Sequence, residues 1–172
     1  MAETYLGIAH PFPPVWDCNS RALVLGTFPS VQSRANAFYY GHPQNRFWRV
    51  LALLYGETIP TENEDKRALL LRHGIALWDV LASCDVTGSA DGSIRNPVPN
   101  DIGALLTQAP IRQLFANGQT AAALYRRWCE PQAGLPIIPL PSTSPANAAW
   151  SVERLARAWA ALPQSVAQNP SA

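Results

Sequence analysis

Lysine is almost absent from this chain of 172 residues, in which Lys66 is the only one. Enzymes that form a Schiff base with their substrate need an amine nucleophile, and lysine is its usual source. Lys66 lies among charged neighbours in a predicted helix, which indicates a solvated helix face. The sequence therefore disfavours a lyase that works through a lysine.

Cysteine pairs and long apolar runs are also missing. Cys18, Cys84 and Cys129 are widely spaced and form no C-x-x-C pair, which argues against a disulfide framework or a cysteine-bound metal. No apolar run has the length of a membrane span, and the N-terminus lacks the layout of a signal peptide. We expect a cytoplasmic protein, monomeric and without a metal or an organic cofactor.

Charged residues make up only 15% of the chain and the formal net charge is +1, which is less basic than a nonspecific polyanion binder usually is. Hydrophobic residues make up 48%, a globular composition, and the length suits one domain better than two. All the basic residues except Lys66 are arginine, which suits phosphate contacts. A genome that favours arginine codons explains this bias equally well.

Strands and helices alternate along the chain. The pattern predicts an irregular, proline-rich arm over 1–20 packed on a single domain over 21–162, followed by a frayed tail over 163–172. Within the domain, strands are predicted at 21–26, 75–80, 111–116 and 135–140, with helices between them and a long loop over 84–100. A capping box over 61–64, Asn100 and Asn147 are expected to begin three of the predicted helices. This alternation predicts a three-layer α/β/α fold around a four-stranded, mainly parallel sheet.

Polar and Gly/Pro-rich residues follow each predicted strand. Thr27 and Ser30 follow the first, Asp79 ends the second, Asn117 follows the third and 142–144 follow the fourth. The carboxyl ends of parallel strands meet at one sheet edge, where ligands usually bind in α/β proteins. We expect a site assembled from at least three of these loops, although each residue taken alone also fits an ordinary cap or turn.

Two segments of this region, Gly26-Thr27-Phe28-Pro29-Ser30 and Tyr39-Tyr40-Gly41-His42-Pro43-Gln44-Asn45-Arg46-Phe47-Trp48, carry a family resemblance. They resemble the first motif of the uracil-DNA glycosylase superfamily, and the hypoxanthine-DNA (deoxyinosine) glycosylase branch in particular. The turn Leu140–Pro145 is similar to the second motif. The resemblance implies a uracil-DNA glycosylase-like fold and a monofunctional glycosylase that excises hypoxanthine from DNA containing deaminated bases. A mismatch-specific uracil or xanthine glycosylase and a non-catalytic binding module are the alternatives.

The resemblance also implies roles for individual residues. Asn45 is the expected catalytic residue, which positions the attacking water, although it also fits a helix N-cap. Thr27, Phe28, Tyr40 and Asp79 are expected around the base, with Tyr40 stacked on it, although Tyr40 also suits core packing. A carboxylate at Asp79 accepts from N1–H of hypoxanthine or N3–H of uracil but cannot donate to the neighbouring carbonyl. A helix-capping aspartate is its other interpretation.

Two positions depart from the wider superfamily. Phe28 stands where many uracil enzymes carry an acidic or amide residue, and Leu140 stands where the second motif often has histidine. Catalysis would then rest on Asn45, backbone dipoles and stacking. Of the histidines, His42 is expected to shape its loop or contact DNA, and His10 to be structural or at the surface.

DNA contacts are expected from turns that precede helices and from the segment after Asn45. Hydroxyls and free amides in such turns suit phosphate oxygens. The expected DNA-binding residues are Ser30, Ser142, Thr143, Ser144 and Arg46. Helix capping is the alternative for the serines and a structural role for Arg46, and no residue after the second motif is an obvious intercalating wedge.

Overall fold

The structure, a computed structural model, describes residues 2–167 and combines seven strands with eight α-helices in that range. The strands are β1 Thr4–Ala9, β2 Ala22–Gly26, β3 Ile75–Asp79, β4 Leu81–Thr87, β5 Arg95–Pro99, β6 Gln113–Asn117 and β7 Ile137–Leu140. The helices are α1 Val31–Asn36, α2 Phe47–Tyr55, α3 Asn63–Arg72, α4 Ile102–Gln108, α5 Gln119–Trp128, α6 Glu130–Ala133, α7 Val152–Trp159 and α8 Ala161–Ala167.

The four predicted strands form the central sheet, in the order β3-β2-β6-β7, and every neighbouring pair is parallel. Gly26 lies beside Asp79 in the register of β2 and β3, and Asn117 lies beside Leu140 in the register of β6 and β7. The carboxyl ends of all four strands therefore stop at nearly the same level. This places the loops that follow them along one edge.

The side chains of β2 alternate between two hydrophobic layers. Ala22 and Val24 pack with α2 and α7 on one face, while Leu23 and Leu25 pack with α4 and α5 on the other. Each layer is sealed by large buried residues, such as Trp159 on the first face. The sheet is thus covered on both faces, and the predicted three-layer α/β/α fold is confirmed.

A second sheet replaces the predicted loop over 84–100 and part of the irregular arm over 1–20. It is antiparallel, with the order β1-β4-β5, and a single residue separates the end of β3 from the start of β4. Two prolines, Pro97 and Pro99, hide β5 in the sequence, but proline is tolerated there because β5 is an edge strand. The strand β1 exists only through its pairing with β4, which no local pattern reveals.

Three predicted helix starts also differ. Asp101, and not Asn100, caps α4 by accepting from Ala104 N at 3.0 Å. Ser151, and not Asn147, caps α7 in the same way. The capping box expected over 61–64 does not form, since α3 begins at Asn63 without a side-chain cap. Polar residues near the start of each helix were visible in the sequence, but which of them caps the helix depends on tertiary contacts.

The last helix, α8, extends through residues 163–167, which were predicted to be frayed. The remainder of the predicted tail, 168–172, lies outside the described residues. Within residues 2–167, no helix is both long and apolar enough to cross a membrane.

Candidate active site

A cleft of about 840 Å³ opens at the carboxyl-terminal edge of the central sheet. Its walls come from the loops after all four strands, with Thr27 after β2, Asp79 at the end of β3, Asn117 at the end of β6 and Ser142 after β7. The loop between α1 and α2 and the tip of the β4–β5 hairpin complete it. Its volume is in the range of small-molecule and cofactor sites.

Asp79 lies at the bottom of this cleft and is 3% exposed. Its Oδ2 is 2.8 Å from Nε2 of His10, a residue of the segment after β1. The other ring nitrogen of His10, Nδ1, accepts from Phe12 N at 3.5 Å, which assigns the ring proton to Nε2. His10 therefore donates to Asp79 and fixes the carboxylate.

Gly26 lets two polar groups approach the end of β2. A methyl group at this position would lie 2.4 Å from Asp79 Oδ1 and 2.8 Å from the Tyr40 hydroxyl. Asp79 Oδ1 and the Tyr40 hydroxyl therefore both lie against the backbone here. Within the described residues, Asp79 Oδ1 has no hydrogen-bond donor, so it is available to a ligand.

Tyr40 adopts a left-handed backbone conformation with φ 53°, which is uncommon outside glycine and often occurs at functional sites. Its ring stacks on Phe47, with centroids 4.2 Å apart. Burial and the neighbouring Asp79 carboxylate raise the pKa of Tyr40 far above its usual value, which keeps the phenol neutral. Tyr39, in contrast, fills the core and donates to Pro13 O.

Asn45 belongs to a chain of hydrogen bonds across the cleft wall. Its Oδ1 accepts from Phe47 N and from Thr143 Oγ1, each at 2.9 Å. Thr143 Oγ1 accepts from Asn117 Nδ2 at 2.9 Å, and Thr143 N donates to Asn117 Oδ1 at 3.0 Å. The chain ties the loops after β6 and β7 to the start of α2.

Only one assignment of donors satisfies this chain. Backbone N–H groups donate and never accept, so oxygen must face both Phe47 N and Thr143 N. The amide orientations of Asn45 and Asn117 are then fixed, and the Thr143 hydroxyl proton points to Asn45. Asn45 Nδ2 has no partner among residues 2–167 and is left to the cleft, which Asn45 lines.

Arg46 holds the loop after β7 and does not line the cleft. Its guanidinium donates to the carbonyl oxygens of Thr143 at 3.2 Å, Ser144 at 2.8 Å and Asn147 at 3.0 Å, and also to that of Trp150. Four of its five N–H bonds are thus used within the protein. The structure gives Arg46 a positioning role in place of the expected phosphate contact.

The serines expected at phosphates all cap local backbone. Ser30 Oγ accepts from Ser33 N at the start of α1 and donates to Ser33 Oγ. Its hydroxyl group is therefore used both as an acceptor and as a donor. Ser142 Oγ accepts from Ser144 N, and Ser144 Oγ accepts from Ala146 N. In the part of the chain that the structure describes, the hydroxyl protons of Ser142 and Ser144 have no acceptor, whereas Thr143 is buried within the hydrogen-bond chain.

The rim of the cleft carries a second carboxylate. Asp91, from a 3-10 turn at the tip of the β4–β5 hairpin, accepts from Thr27 Oγ1 at 3.3 Å. Phe28 forms the adjacent apolar wall and packs edge-on against His10. Among the described residues, the lining contains no lysine or arginine, and no cluster of three metal-ligating side chains occurs.

The cleft therefore brings together nine of the ten predicted site residues, all except Arg46. Thr143 is fully buried in the cleft wall and contributes mainly through its hydrogen bonds. Sequence reasoning missed two residues that arrive through the second sheet, namely His10, which contacts Asp79, and Asp91, which lines the cleft. It noted Asn117 as the end of a strand but gave it no role. The small and polar residues that follow each strand of the central sheet were the only feature of the sequence that indicated this site.

Comparison with protein families gives a match over most of the chain. The family model described as the uracil DNA glycosylase superfamily matches residues 13–163. These residues include all four strands of the central sheet and every residue of the Asn45 hydrogen-bond chain.

Two curated proteins and one solved structure resemble the chain. A hypoxanthine DNA glycosylase of Methanosarcina acetivorans is 35% identical over 152 residues, covering 86% of this chain and 93% of that protein. A hypoxanthine DNA glycosylase of Methanosarcina barkeri is 37% identical over 110 residues, covering 63% and 70% respectively. A solution NMR structure from M. acetivorans, provisionally described as a uracil DNA glycosylase, has a TM-score of 0.78 at 32% identity and covers 96% of this chain and 99% of its own.

Proposed function

The chain belongs to the uracil DNA glycosylase superfamily, and from this premise we propose that it is a monofunctional DNA glycosylase that excises hypoxanthine from deoxyinosine in DNA. The reaction is hydrolysis of the N-glycosidic bond, which leaves an abasic site and initiates base excision repair. Such an enzyme turns the nucleotide out of the helix and reads the base edge in a pocket. A monomeric state and a cytoplasmic location stay predictions from the sequence.

The observation that carries the proposal is the Asp79 carboxylate, held by His10 at the bottom of the cleft with Oδ1 unpartnered among residues 2–167. A carboxylate accepts hydrogen bonds and donates none while ionised. Asp79 therefore suits N1–H of hypoxanthine, which is the donor on that edge of the base. Tyr40, supported on one side by Phe47, offers its second ring face for stacking, and Phe28 and Thr27 close the pocket beside it.

Asn45 provides the contact to the attacking water. Because its oxygen is occupied by Phe47 N and Thr143 Oγ1, only Nδ2 is available. Donation from Nδ2 engages one lone pair of the water and leaves the other lone pair free to attack C1′ of the sugar. Thr143 and Asn117 act as positioning residues that hold this amide.

The DNA strand is held by hydroxyl groups and not by a cluster of cations. Ser142 and Ser144 have protons available for phosphate oxygens, and both lie on the loop that Arg46 fixes. Ser30 is saturated by its cap, so its backbone turn shapes the rim. A small number of contacts between cationic side chains and phosphates agrees with the net charge of +1. It predicts that the affinity for DNA depends only modestly on salt concentration.

The experiment that tests this proposal measures base release from matched oligonucleotides that carry deoxyinosine, deoxyuridine or deoxyxanthosine. Each is assayed as a single strand and opposite each of the four normal bases. We expect release from deoxyinosine to exceed that from the other two in every context. Release led by uracil or xanthine would instead identify a mismatch-directed enzyme, and binding without release would identify a non-catalytic module.

Lys66 tests the monofunctional part of the proposal. It is half-buried on α3 with Nζ 5.6 Å from the centroid of the Trp48 ring, and burial lowers its pKa. It does not line the cleft. The variant Lys66→Met should release hypoxanthine at the wild-type rate. Borohydride should trap no covalent complex between the wild-type protein and DNA.

A further inference from the structure

The β4–β5 hairpin is fastened over the mouth of the cleft at two points. Ser89 Oγ accepts from Val31 N at 2.9 Å, which ties the hairpin to the start of α1. Asp91 Oδ2 accepts from Thr27 Oγ1 at 3.3 Å, which ties it to the end of β2. The turn between them therefore holds the Asp91 carboxyl at a defined place on the rim.

The two carboxylates of the cleft lie at different depths. Asp79 is 3% exposed at the bottom, whereas Asp91 is an exposed residue at the rim. A nucleotide that enters base first would place its base beside Asp79 and its sugar nearer the level of Asp91. The Thr27 contact occupies Asp91 Oδ2, and within residues 2–167 Oδ1 has no hydrogen-bond partner.

Cleavage of the N-glycosidic bond is favoured by a negatively charged group at the depth in the cleft where the sugar lies. As the glycosidic bond lengthens, the sugar becomes an oxocarbenium-like cation, and a nearby carboxylate stabilises the developing positive charge. The attacking water must also lose a proton, and Asn45 cannot accept it because only its N–H groups face the cleft. The first motif has Phe28 where a carboxylate could have stood.

We propose that Asp91 is a catalytic residue that supplies this carboxylate from outside the first motif, an assignment that rests on the proposed function. The water oxygen forms a bond to C1′, the C1′–N9 bond breaks, and its electron pair leaves with N9 of hypoxanthine. The water proton passes to Asp91 Oδ1. The departing base takes a proton from solvent, and Asp91 returns its own to solvent.

The surroundings of Asp91 suit a base. Asp91 is exposed as a residue, but partial burial of its carboxyl group raises its pKa. The Thr27 hydrogen bond opposes this rise in pKa, and the Asp79 charge adds to it. The other titratable groups that sense its charge are Tyr40 and Cys84. A carboxylate with a raised pKa accepts a proton more readily, and it must be ionised to act. The rate should therefore fall as the pH drops through the pKa of Asp91.

The variant Asp91→Asn tests this assignment, because an asparagine oxygen can still accept from Thr27 while the charge and the basicity are lost. We expect kcat for hypoxanthine release to fall at least 100-fold, with KM changed less than threefold. The acid-side decline of kcat should disappear, and Asp91→Glu should restore at least a tenth of the activity. Asp65→Asn, which makes the same charge change on exposed α3, is the matched control and should behave as wild type.

Wild-type and variant proteins are assayed together on the deoxyinosine oligonucleotide. An active wild type with Asp91→Asn within threefold of its kcat would overturn the role of Asp91 alone. An unchanged acid-side decline in Asp91→Asn would also overturn it, since another group would then titrate. A wild type that releases no deaminated base would overturn the proposed function, and the Asp91 assignment with it.

Discussion

His10 Nε2 and Asp79 Oδ2 lie 2.8 Å apart, with both side chains about 5% exposed or less. The contact joins the segment after β1, in the second sheet, to the end of β3, in the central sheet. It explains why an N-terminal arm belongs to the active site, since the arm carries the group that orients the carboxylate. Under the proposed function, His10 is therefore a positioning residue for base recognition, and Asp79 Oδ1 is the atom that it presents.

We predict that His10→Ala lowers kcat/KM for deoxyinosine by roughly 10- to 100-fold. Leaving a buried acceptor without its donor costs about 1–3 kcal/mol, and each 1.4 kcal/mol corresponds to about tenfold. His10→Gln retains an N–H donor at a similar reach and should recover part of the loss. Steady-state release of hypoxanthine measures both variants. Equal activity of His10→Ala and wild type would remove this contact from base recognition.

Gly26 gives the second prediction. A methyl group there would lie 2.4 Å from Asp79 Oδ1 and 2.8 Å from the Tyr40 hydroxyl, distances at which the carboxylate or the ring must move. We expect Gly26→Ala to lower hypoxanthine release at least 100-fold while the protein stays folded, as measured by base release and thermal unfolding.

Gly103→Ala is the control for this substitution. Gly103 lies in α4 outside the cleft, and a methyl group there would meet other atoms at 3.6 Å or more. Alanine also favours the helix over glycine. The control should retain full activity. If Gly26→Ala were as active as this control, the close approach of Asp79 and Tyr40 to the end of β2 would not be needed for activity.

The central sheet could be predicted from the sequence because its cause is local. Buried apolar strands such as Ala22–Gly26 are bounded by glycine and proline, and each strand alternates with an amphipathic helix. The site at the carboxyl edge followed from the topology of a parallel sheet, which brings Thr27, Asp79 and Ser142 together whatever the detailed packing.

The second sheet and its two site residues could not be predicted in the same way. The strand β1 has mostly exposed residues and pairs with β4 some 80 positions away, as in the pair Thr4 and Thr87, so no short pattern marks it. His10 is brought to Asp79, and Asp91 to the cleft, by that second sheet. The donor directions around Asn45 were also invisible, because they depend on contacts with Thr143, 98 positions away.

Arg46 gives the third prediction, which separates a loop clamp from a phosphate contact. Arg46→Lys keeps the charge but cannot reach four carbonyl oxygens. The loss should be on the order of 3 kcal/mol, since one such bond to a charged group contributes about 1.5–3 kcal/mol. The Tm should therefore fall by roughly 6–12 °C.

Arg49→Lys is the matched control, because Arg49 makes a single hydrogen bond within residues 2–167, to Gln44 O at 3.3 Å. Its Tm should stay within about 2 °C of wild type. The salt dependence of oligonucleotide binding completes the test, because each lost phosphate contact lowers the slope of log K against log salt by about 0.9. An unchanged slope in Arg46→Lys supports the clamp, whereas a slope reduced by this amount with an unchanged Tm would favour a phosphate contact.

Thr143 gives the fourth prediction, on the rigidity of the Asn45 amide. Thr143→Val removes the hydroxyl that donates to Asn45 Oδ1 and keeps the shape of the side chain. We expect base release to fall about tenfold, because a lost hydrogen bond contributes roughly 1 kcal/mol and the amide can then rotate. A double-mutant cycle with Asn45→Ala should be non-additive, since both residues act through one group. Additive losses would mean that Thr143 acts independently of Asn45.

Asn45→Asp tests which atom of Asn45 acts on the substrate. An aspartate keeps an oxygen to accept from Phe47 N and Thr143 Oγ1, so the hydrogen-bond chain and the Tm should be preserved within about 2 °C. It replaces the N–H donor that faces the cleft with a negatively charged acceptor, which cannot donate to the attacking water. We expect hypoxanthine release to fall at least 100-fold, a loss no smaller than that of Asn45→Ala. If Asn45→Asp retained or increased the activity, the water would be activated by an acceptor at this position, and the donor role of Nδ2 would be wrong.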